Sequence, residues 1–445
     1  MKILQVSHGL PPKECAGVEL YTLHLSRALA HLNHEVSILC REGDPEREDF
    51  SSFEEEIDGL RVTRVVNNLT KISDVRALYE NHFFDETFLE MLKREKPDVI
   101  HFQHFYGLSA QLIRIAKGEG YPVLFTLHDF YVLCHRIHLL KENNQLCSGP
   151  LYGLECLSCL DIRPGPQDMR TRFFLKAKDL LPNSVIRRAE RFFIPSRYLN
   201  DGGNEVFHRY RYMYEIFEAC DLLLTPSRFV RSLFLKYYPS MKSKMETLPL
   251  GIPPLRGQDE PRRPDEKMRF CYFGNILPIK GLHILIDAFK KLPHERVALT
   301  IYGGRNSWNG LYYDSLKQQS PGFSIDFRGP FERDNLPEAL KDQDVVVLPS
   351  ICHESFSFVI REAHSMGLPV IASNNGAIGE AVRDGVDGLL FEPGNSEALR
   401  RSMLKFLETP GLAWKMASNV PNVKSMAEHA AELSEIYCRV IGKQR

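Results

Sequence analysis

The sequence predicts an α/β protein with two consecutive halves, each built from a parallel β-sheet and the helices between its strands. Short apolar runs alternate with segments whose apolar residues recur at helical spacing. A polar, proline-containing stretch at residues 255–267 has no periodicity, and a second α/β series follows it. The 445 residues also exceed one ordinary hydrophobic core. We therefore predict two domains joined by this linker.

The first half begins with a strand, a loop, a helix and a second strand. Strands are predicted at residues 3–6, 35–40, 98–103 and 123–127, helices at 17–30 and 109–117, and the sheet resumes at 221–227. Ligands bind at the carboxyl ends of strands in such sheets. The polar residues that follow these strand ends are Ser7, His8, His104, His128 and Asp129. Several histidines in such places favour a functional rim over isolated packed side chains.

The second half repeats the pattern. Strands are predicted at residues 269–273, 297–302, 324–328, 345–348 and 369–372, and helices at 282–291, 357–366 and 423–440. Glu354 lies where a loop meets the helix predicted at 357–366, and Glu362 lies inside that helix. Free N–H groups at a helix start favour anions, so this junction suits a ligand with phosphates and sugar hydroxyls. For two isolated glutamates, a capping group and a solvated helix residue would be the simpler interpretation.

Composition excludes several classes of protein. The formal net charge of −1 gives no argument for nucleic-acid binding. Residues 1–7 predict a strand rather than a signal peptide, and no window approaches the roughly 18 apolar residues of a spanning helix. We therefore expect a cytoplasmic protein, in which the ten cysteines are thiols or metal ligands rather than disulfides.

Four of the cysteines cluster in a loop-like region at residues 134–159. They are Cys134, Cys147, Cys156 and Cys159, and the last two form a C-x2-C pair. Four thiolates with one close pair suit a tetrahedral structural zinc site, although the usual two-pair spacing is absent. Four unliganded reduced thiols are the alternative.

Residues 163–211 interrupt the α/β pattern with eleven Lys and Arg against five Asp and Glu, interleaved with phenylalanine pairs. One interpretation is a helical insertion with solvated charges and a small aromatic core. The other is a basic–aromatic surface that contacts an anionic membrane and a lipid-linked substrate.

Taken together, these motifs resemble the retaining glycosyltransferases of family 4. The resemblance is carried by Glu354 and Glu362, followed by Gly-Leu-Pro-Val-Ile-Ala at 367–372, the segment 376–380 and Asp-Gly-Leu-Leu-Phe-Glu-Pro at 387–393. It implies the GT-B fold, with two facing Rossmann-like domains and a cleft between them. The domains expected are residues 1–254 on the acceptor side, 255–422 on the donor side, and a helix at 423–445 that packs back on the first domain.

The resemblance also implies roles for individual residues. Glu354 would contact the donor sugar near the reacting carbon, Glu362 would hold the ribose, and Lys280 would neutralise the leaving diphosphate. His128 would lie near the sugar, and the catalytic set is Glu354, His128 and Lys280. The donor-binding set is Gly17, Gly274, Asn275, Lys280, Gly303, Ser355, Phe356, Ser357, Phe358 and Glu362.

Three positions depart from the family pattern. Asn275 follows Gly274 where the family usually has an arginine, Ser357 replaces a common glycine, and Ala16 replaces the first glycine of an N-terminal pair. Arg305 and Arg328 are candidates to replace the missing phosphate cation.

The predicted activity is transfer of a sugar from a nucleotide diphosphate sugar to a glycan or lipid-linked acceptor, with retention of anomeric configuration and without a redox cofactor. Surface polysaccharide or glycolipid synthesis is the expected setting, with peripheral membrane contact. The alternatives are a non-catalytic nucleotide-sugar-binding protein and another GT-B enzyme, such as an epimerase or a phosphorylase.

Overall fold

The computed structural model describes residues 1–72, 76–141, 145–150, 156, 159, 205–255, 267–307, 309–331 and 335–443. The chain forms two compact units. The first comprises Met1–Thr225, Arg231–Glu246 and Ser434–Arg445, and the second comprises Pro226–Val230 and Thr247–Leu433. Most of the basic segment predicted at 163–211 and most of the linker predicted at 255–267 lie outside the described residues.

The first unit contains an eight-stranded sheet in the order β3-β4-β2-β1-β5-β6-β7-β8. Its strands are β1 (Lys2–Ser7), β2 (Glu35–Glu42), β3 (Ser52–Ile57), β4 (Leu60–Val66), β5 (Val99–Phe102), β6 (Val123–Thr126), β7 (Leu222–Thr225) and β8 (Met245–Thr247). The neighbours from β4 through β7 pair in parallel, and β3 pairs with β4 in antiparallel fashion. The central strands are buried on both faces, which explains their continuous apolar runs.

Helices connect these strands. They are α1 (Gly17–His31), α2 (Asp85–Glu95), α3 (Gln111–Gly118), α4 (Glu205–Ala219) and α5 (Arg228–Tyr237), whose first three residues group with the second unit. Within α4, Arg209 is buried and donates to the carbonyl oxygens of Tyr131 and Val132. This arginine from the basic segment is therefore part of the core.

The hairpin of β3 and β4 and the helix α2 are absent from the sequence-based prediction. Asp58 and Gly59 form the turn, and both have a positive φ, of 52° and 79°. An Asp-Gly dipeptide between two strands is the signal that identifies such a hairpin.

The second unit contains a six-stranded parallel sheet in the order β11-β10-β9-β12-β13-β14. Its strands are β9 (Met268–Phe273), β10 (Val297–Tyr302), β11 (Ile325–Gly329), β12 (Val345–Leu348), β13 (Val370–Ser373) and β14 (Gly388–Phe391). In chain order this is the 3-2-1-4-5-6 arrangement of a Rossmann sheet, and the strand order reverses between β9 and β12. The predicted α/β class with two parallel sheets is confirmed.

Helices cover this sheet. They are α6 (Leu282–Phe289), α7 (Gly310–Gln318), α8 (Leu336–Leu340), α9 (Phe358–Ser365), α10 (Ile378–Ala381), α11 (Ser396–Glu408) and α12 (Leu412–Ala417). Two buried apolar clusters, one around Phe270 and Leu285 and one around Val346 and Ile360, pack against the sheet. These clusters hold the strand ends that carry the candidate site.

The last helix, α13 (Met426–Gly442), begins later than predicted. Ser425 and Glu428 form a capping box, in which the Ser425 amide donates to the Glu428 carboxylate and the Glu428 amide donates to Ser425 Oγ, at 2.8 and 3.2 Å. The residues of α13 from Ser434 onward group with the first unit. Among the described helices, none combines the length and the apolar character that crossing a membrane requires.

Candidate active site

The candidate site of the second unit lies where its strand order reverses. The loop after β9 carries Gly274, Asn275 and Lys280, and the loop after β12 carries Glu354 and leads into α9. Since β9 and β12 are parallel neighbours, their carboxyl ends open the crevice in which such sheets bind ligands. The fold therefore brings together residues separated by 74 positions in the chain.

Lys280 and Glu354 form an ion pair at this point. Lys280 Nζ lies 2.8 Å from Glu354 Oε1, and Ser350 Oγ donates to the same oxygen at 2.6 Å. Burial acts to lower the pKa of Lys280, but the Glu354 carboxylate outweighs burial and raises it, so the ammonium is charged at neutral pH. The side chains are 27% and 13% exposed, which leaves a fixed cation accessible to a ligand.

The backbone of Glu354 is fixed by the segment after β13. Ala377 N donates to the Glu354 carbonyl oxygen at 2.8 Å, and Glu354 forms a β-bridge with Gly376. Gly376 has φ of +61°, and a Cβ at this position would lie 2.4 Å from that carbonyl oxygen. Glycine is therefore required here both for its conformation and for the close backbone approach.

Helix α9 begins directly behind this loop. Ser357 precedes it in the left-handed conformation, with φ of 64°, which explains why glycine is common at this position in related sequences. Its Oγ is buried without a hydrogen-bond partner. The rings of Phe356 and Phe358, on either side of Ser357 in the chain, have centroids 5.2 Å apart. Ser355 is the residue before Phe356. The first amides of α9 therefore lie next to the Glu354 loop.

Glu362 lies in the middle of α9 and is 3% exposed. Such burial excludes the alternative that Glu362 is a solvated helix residue, because carboxylates are rarely buried without a specific role.

Contacts with three other residues fix the conformation of the loop after β9. Gly274 has φ of +134°, and a Cβ on Gly303 would lie 2.6 Å from the Gly274 carbonyl oxygen. Tyr272 Oη donates to the Asn275 carbonyl oxygen at 2.7 Å, and the buried Asn309 amide donates to the Ile276 carbonyl oxygen at 3.0 Å. Sequence analysis missed Asn309, because it follows β10 and no local pattern links it to this loop.

The two arginines considered as replacements for Asn275 are engaged elsewhere. Arg305 forms a two-contact ion pair with Asp314, at 2.8 and 2.9 Å. Arg328 pairs with Asp326 on the same strand. Of these three sequence candidates, Lys280 is the one that pairs with Glu354.

Two further residues that the sequence did not identify hold the Glu354 loop within the second unit. Ser227 Oγ donates to the Ser355 carbonyl oxygen at 2.8 Å. The Glu380 carboxylate accepts from the amides of Arg228 and Phe229 at 3.0 and 2.5 Å, which caps the start of α5. Hydrogen bonds therefore connect residues 226–230 to the Glu354 loop and to the segment after β13.

In the first unit, the carboxyl ends of β1, β5 and β6 gather the histidines predicted there. The His8 and His104 rings have centroids 4.2 Å apart, and His104 Nε2 lies 3.4 Å from Asp129 Oδ2. Burial acts to raise the pKa of Asp129, but His104 and the Tyr131 amide outweigh burial and lower it to about 2. Glu19, which the sequence analysis did not select, lies 3.1 Å from His8 Nε2.

His128 follows β6 at the same edge of the sheet and is 6% exposed. Its Nε2 is 2.7 Å from Gln103 Oε1, and its ring meets Tyr21 edge-on, with centroids 4.9 Å apart. Gly17 is the first residue of α1, and Ala16 before it has φ of −83°. Because this φ is accessible to any residue, alanine can replace the usual glycine.

The four clustered cysteines are all unpaired by disulfides. Burial raises the pKa of the Cys156 thiol, and Cys134, Cys147 and Cys159 add to this effect. Gly149 N donates to Cys147 Sγ at 3.4 Å. Within the described part of the chain, however, no three or more His, Cys, Asp and Glu side chains are grouped as a metal site would require. The structure thus gives no support to the predicted zinc ion.

Comparisons with known proteins identify the family of this chain. The family described as Glycosyltransferase Family 4 matches residues 16–256, and the family Glycosyl transferases group 1 matches residues 257–423. A glycogen synthase of Mycobacterium tuberculosis is 25% identical over 433 residues, which cover 94% of this chain and 88% of that protein.

Solved structures resemble the whole chain. The sucrose-phosphate synthase of Thermosynechococcus elongatus has a TM-score of 0.68 at 18% identity, and the match covers 99% of both chains. Anabaena Alr3699/HepE in complex with UDP and glucose has a TM-score of 0.63 at 15% identity, covering 99% of this chain and 100% of the other. At these identities the likeness shows the fold, which is GT-B. The chain belongs to glycosyltransferase family 4, and it is a glycosyltransferase.

Proposed function

We propose that this glycosyltransferase transfers a sugar from a nucleotide diphosphate sugar to a hydroxyl acceptor with retention of anomeric configuration. The observation that carries the proposal is the Lys280–Glu354 pair at the point where the strand order of the second sheet reverses. A fixed cation, a partly exposed carboxylate and the start of a helix there match a ligand that combines phosphate with sugar hydroxyls.

In this proposal the main catalytic demand is electrostatic. Breaking the bond between the anomeric carbon and the phosphate oxygen leaves negative charge on that oxygen, and Lys280 Nζ stabilises the charge. Glu354 holds the ammonium in place before the donor arrives, and Ser350 holds the Glu354 carboxylate, so little reorganisation is needed. Glu362 would bind the ribose hydroxyls, and the amides of residues 355–358 would bind the sugar and the diphosphate.

Retention needs no protein nucleophile in this scheme. The acceptor hydroxyl attacks on the face that the diphosphate leaves, and the departing phosphate oxygen takes the hydroxyl proton. His128 of the first unit is proposed to act on the donor sugar, as the family resemblance implies.

The activity is tested with a panel of nucleotide sugars, first by thermal shift and then by acceptor-dependent release of nucleoside diphosphate. We expect Glu354→Ala to lower turnover by about 10²-fold or more, the effect of removing one preorganised group. Glu397→Ala is the matched control, because Glu397 also lies 2.8 Å from a lysine but on the exposed surface of the same unit. NMR of the product then reports its anomeric configuration. Inverted product, or equal turnover of both variants, would refute the proposal.

A non-catalytic nucleotide-sugar-binding protein is the second candidate, and Asn275 in place of the usual arginine favours it. Such a protein would be stabilised by the donor and yet release no nucleoside diphosphate with any acceptor. The same panel therefore separates the two candidates, because it measures binding and turnover independently.

For the acceptor we propose a glycan or a lipid-linked saccharide used in polysaccharide or glycolipid synthesis. The similarity to a glycogen synthase over most of the chain supports a carbohydrate acceptor. The membrane contact expected of residues 163–211 falls mainly outside the described residues. Sedimentation with anionic liposomes at low salt tests it, and absence of binding there would remove the lipid surface from the proposal.

Zinc binding by Cys134, Cys147, Cys156 and Cys159 stays a prediction. The C-x2-C pair and the position of all four thiols within residues 134–159 are what favour it. Metal analysis of the purified protein decides the matter, with about one zinc per chain expected in the wild type and less in Cys156→Ser. Metal-free wild-type protein would end this prediction.

A further inference from the structure

Three polar side chains of the first unit lie close together beside the loop that joins β1 to α1. They are His8, Glu14 and Glu19, and we call them the rim cluster. A Cβ on Gly9 would lie 3.2 Å from Glu14 Cγ and equally far from Glu19 Cγ. Glu19 Oε1 also lies 3.1 Å from His8 Nε2. Two carboxyl groups are therefore brought side by side, and one of them contacts an imidazole.

Each member of the rim cluster has one buried side-chain atom to which no described residue hydrogen-bonds. These atoms are Glu14 Oε2, Glu19 Oε2 and His8 Nδ1. Glu19 as a whole is only 4% exposed. Buried polar atoms nearly always have partners in folded proteins, so three such atoms in one place indicate a site for hydrogen-bonding groups of a ligand.

The rim cluster offers hydrogen-bond acceptors. Burial acts to raise the pKa of Glu19, but the contact with His8 outweighs burial and lowers it, so this carboxylate is ionised at neutral pH. Burial lowers the pKa of His8, so its imidazole is neutral there. Because a carboxylate only accepts, His8 Nε2 carries the ring proton and Nδ1 is an acceptor. Burial raises the pKa of Glu14, and Arg41 opposes this effect through an ion pair with Oε1 at 3.5 Å, which leaves Oε2 as a third acceptor.

The basic side chains of the adjoining loops are engaged in fixing those loops. Besides its ion pair with the cluster, Arg41 donates to the carbonyl oxygens of His8 and Asn67, at 3.3 and 2.6 Å. Lys13 forms an ion pair with the buried carboxylate of Glu42. Both cations are thus held by protein oxygens, and the charge that faces a ligand is set mainly by carboxylates.

One side of the rim cluster is open to solvent. The side chains of His8 and Glu14 are 21% and 24% exposed. The His104 ring contacts the His8 ring, with centroids 4.2 Å apart, and the Asp129 carboxylate beside His104 is 33% exposed. A ligand on this side meets acceptor atoms and negative charge. Hydroxyl and ammonium groups suit such a surface because they donate, whereas phosphate and carboxylate groups only accept and are repelled.

We propose that the rim cluster binds a saccharide through hydrogen-bond donors on its hydroxyl or ammonium groups, and that it discriminates against saccharides carrying phosphate or carboxylate at that end. The identification of this saccharide as the acceptor rests on the proposed function, whereas its binding can be measured without turnover. The rim cluster would thus restrict the acceptor to the non-anionic class.

The binding experiment uses the full chain without a donor and saturation-transfer NMR. The probes are the methyl glycosides of glucose, galactose and mannose, glucosamine, and the 6-phosphates and uronates of the same three sugars. We expect at least one non-anionic probe to bind, and its anionic counterparts to bind at least about tenfold more weakly. Glu19→Gln should weaken the non-anionic probe by about tenfold, the effect of losing a hydrogen bond to a charged group.

Glu14→Gln is a second variant at a more exposed position, and it should weaken the same probe in the same direction. Thermal melting of both variants confirms that they are folded. Glu54→Gln is the matched control, because it neutralises a carboxylate that is 48% exposed on β3 of the same unit and pairs with Arg94. This control should bind the saccharides as the wild type does.

Three results would overturn the proposal. They are anionic probes that bind the wild type as tightly as the non-anionic ones, unchanged binding in both Glu14→Gln and Glu19→Gln, and binding of none of the probes. In the transfer assay, Glu19→Gln should raise the KM for the acceptor by about tenfold with a smaller change in kcat. The expected binding pattern without release of nucleoside diphosphate from any donor would refute the proposed function and leave this saccharide site intact.

Discussion

At the residue scale, the two glutamates of the candidate donor site have different surroundings. Glu354 is 13% exposed and is held by Lys280 and Ser350, whereas Glu362 is 3% exposed inside α9. Only seven residues lie between the two glutamates in the sequence, which could suggest equivalent carboxylates. The strand order separates their environments instead, because only the loop residue faces the loop after β9.

The low pKa of Asp129 predicts a pH-dependent contribution to stability. A carboxyl group with a pKa of about 2 in the folded state and an ordinary value when unfolded stabilises the protein above about pH 4. That contribution is lost as the pH falls toward 2. A third of the side chain is exposed, so we expect about 1–2 kcal/mol rather than the full value.

Thermal unfolding of Asp129→Asn between pH 7 and pH 3 measures this contribution. The variant should melt below the wild type at pH 7, and the difference should shrink as the pH falls. A difference that grows on acidification would contradict the assignment.

At the element scale, the loop that carries Glu354 depends on contacts between segments distant in sequence. Gly376 and Glu380 come from the segment after β13, and Ser227 comes from the segment after β7. These residues fix this loop or the residues hydrogen-bonded to it. Periodicity predicted most strands and the helix that follows Glu354, because these patterns are local. It could not predict Ser350, Asn309 or Ser227, whose hydrogen bonds exist only once the sheet order is set.

Gly376→Ala should destabilise the second unit markedly. The alanine Cβ would lie 2.4 Å from the Glu354 carbonyl oxygen. The alanine would also have to adopt a φ of +61°. We expect a loss of about 2–4 kcal/mol in the free energy of unfolding. Gly367→Ala is the control, since Gly367 has φ of +73° with nothing within 4 Å, and it should cost about 1 kcal/mol. Equal losses in the free energy of unfolding for both variants would show that position 376 does not lie close to the Glu354 carbonyl oxygen.

Glu380→Gln should loosen the start of α5. The carboxylate accepts from the amides of Arg228 and Phe229, and weakening this cap costs about 1 kcal/mol. Hydrogen exchange of these two amides should therefore become about fivefold faster. Glu338→Gln, on an exposed helix, should leave their exchange unchanged. Unaltered exchange in Glu380→Gln would mean that the cap does not hold this segment.

At the scale of the whole molecule, the chain consists of two α/β units. Sequence periodicity predicted this class, and the resemblance of the motifs around Glu354 and Glu362 implied the family. Two features of the first unit were not predicted from the sequence, each for a physical reason. Strand β3 alternates between exposed and half-buried positions, whereas β4 is largely buried, and their hairpin interrupts the regular α/β alternation on which the prediction relied. The buried hydrogen bond between His101 Nδ1 and Tyr437 Oη joins residues 336 positions apart, so no local pattern reveals it.

Donor binding should stabilise the protein as a whole. A ligand that binds the folded state at a hundred times its Kd adds about 2.7 kcal/mol, which raises the melting temperature by several degrees. Nucleoside diphosphate should have this effect, whereas the nucleoside alone should have much less, because in the proposed function Lys280 and the start of α9 bind the phosphates. Equal shifts for the two ligands would contradict a phosphate-binding role for this crevice.

Acceptor-dependent release of nucleoside diphosphate by Lys280→Ala, compared with Lys291→Ala, tests the central claim most directly. Lys291 makes a 2.8 Å ion pair with Glu397 in the same unit but on its exposed surface, so the two variants remove similar pairs in different places. We predict that Lys280→Ala lowers kcat by about 10²–10³-fold and that Lys291→Ala retains wild-type turnover. Wild-type turnover by Lys280→Ala would contradict the assignment of this lysine to the leaving diphosphate.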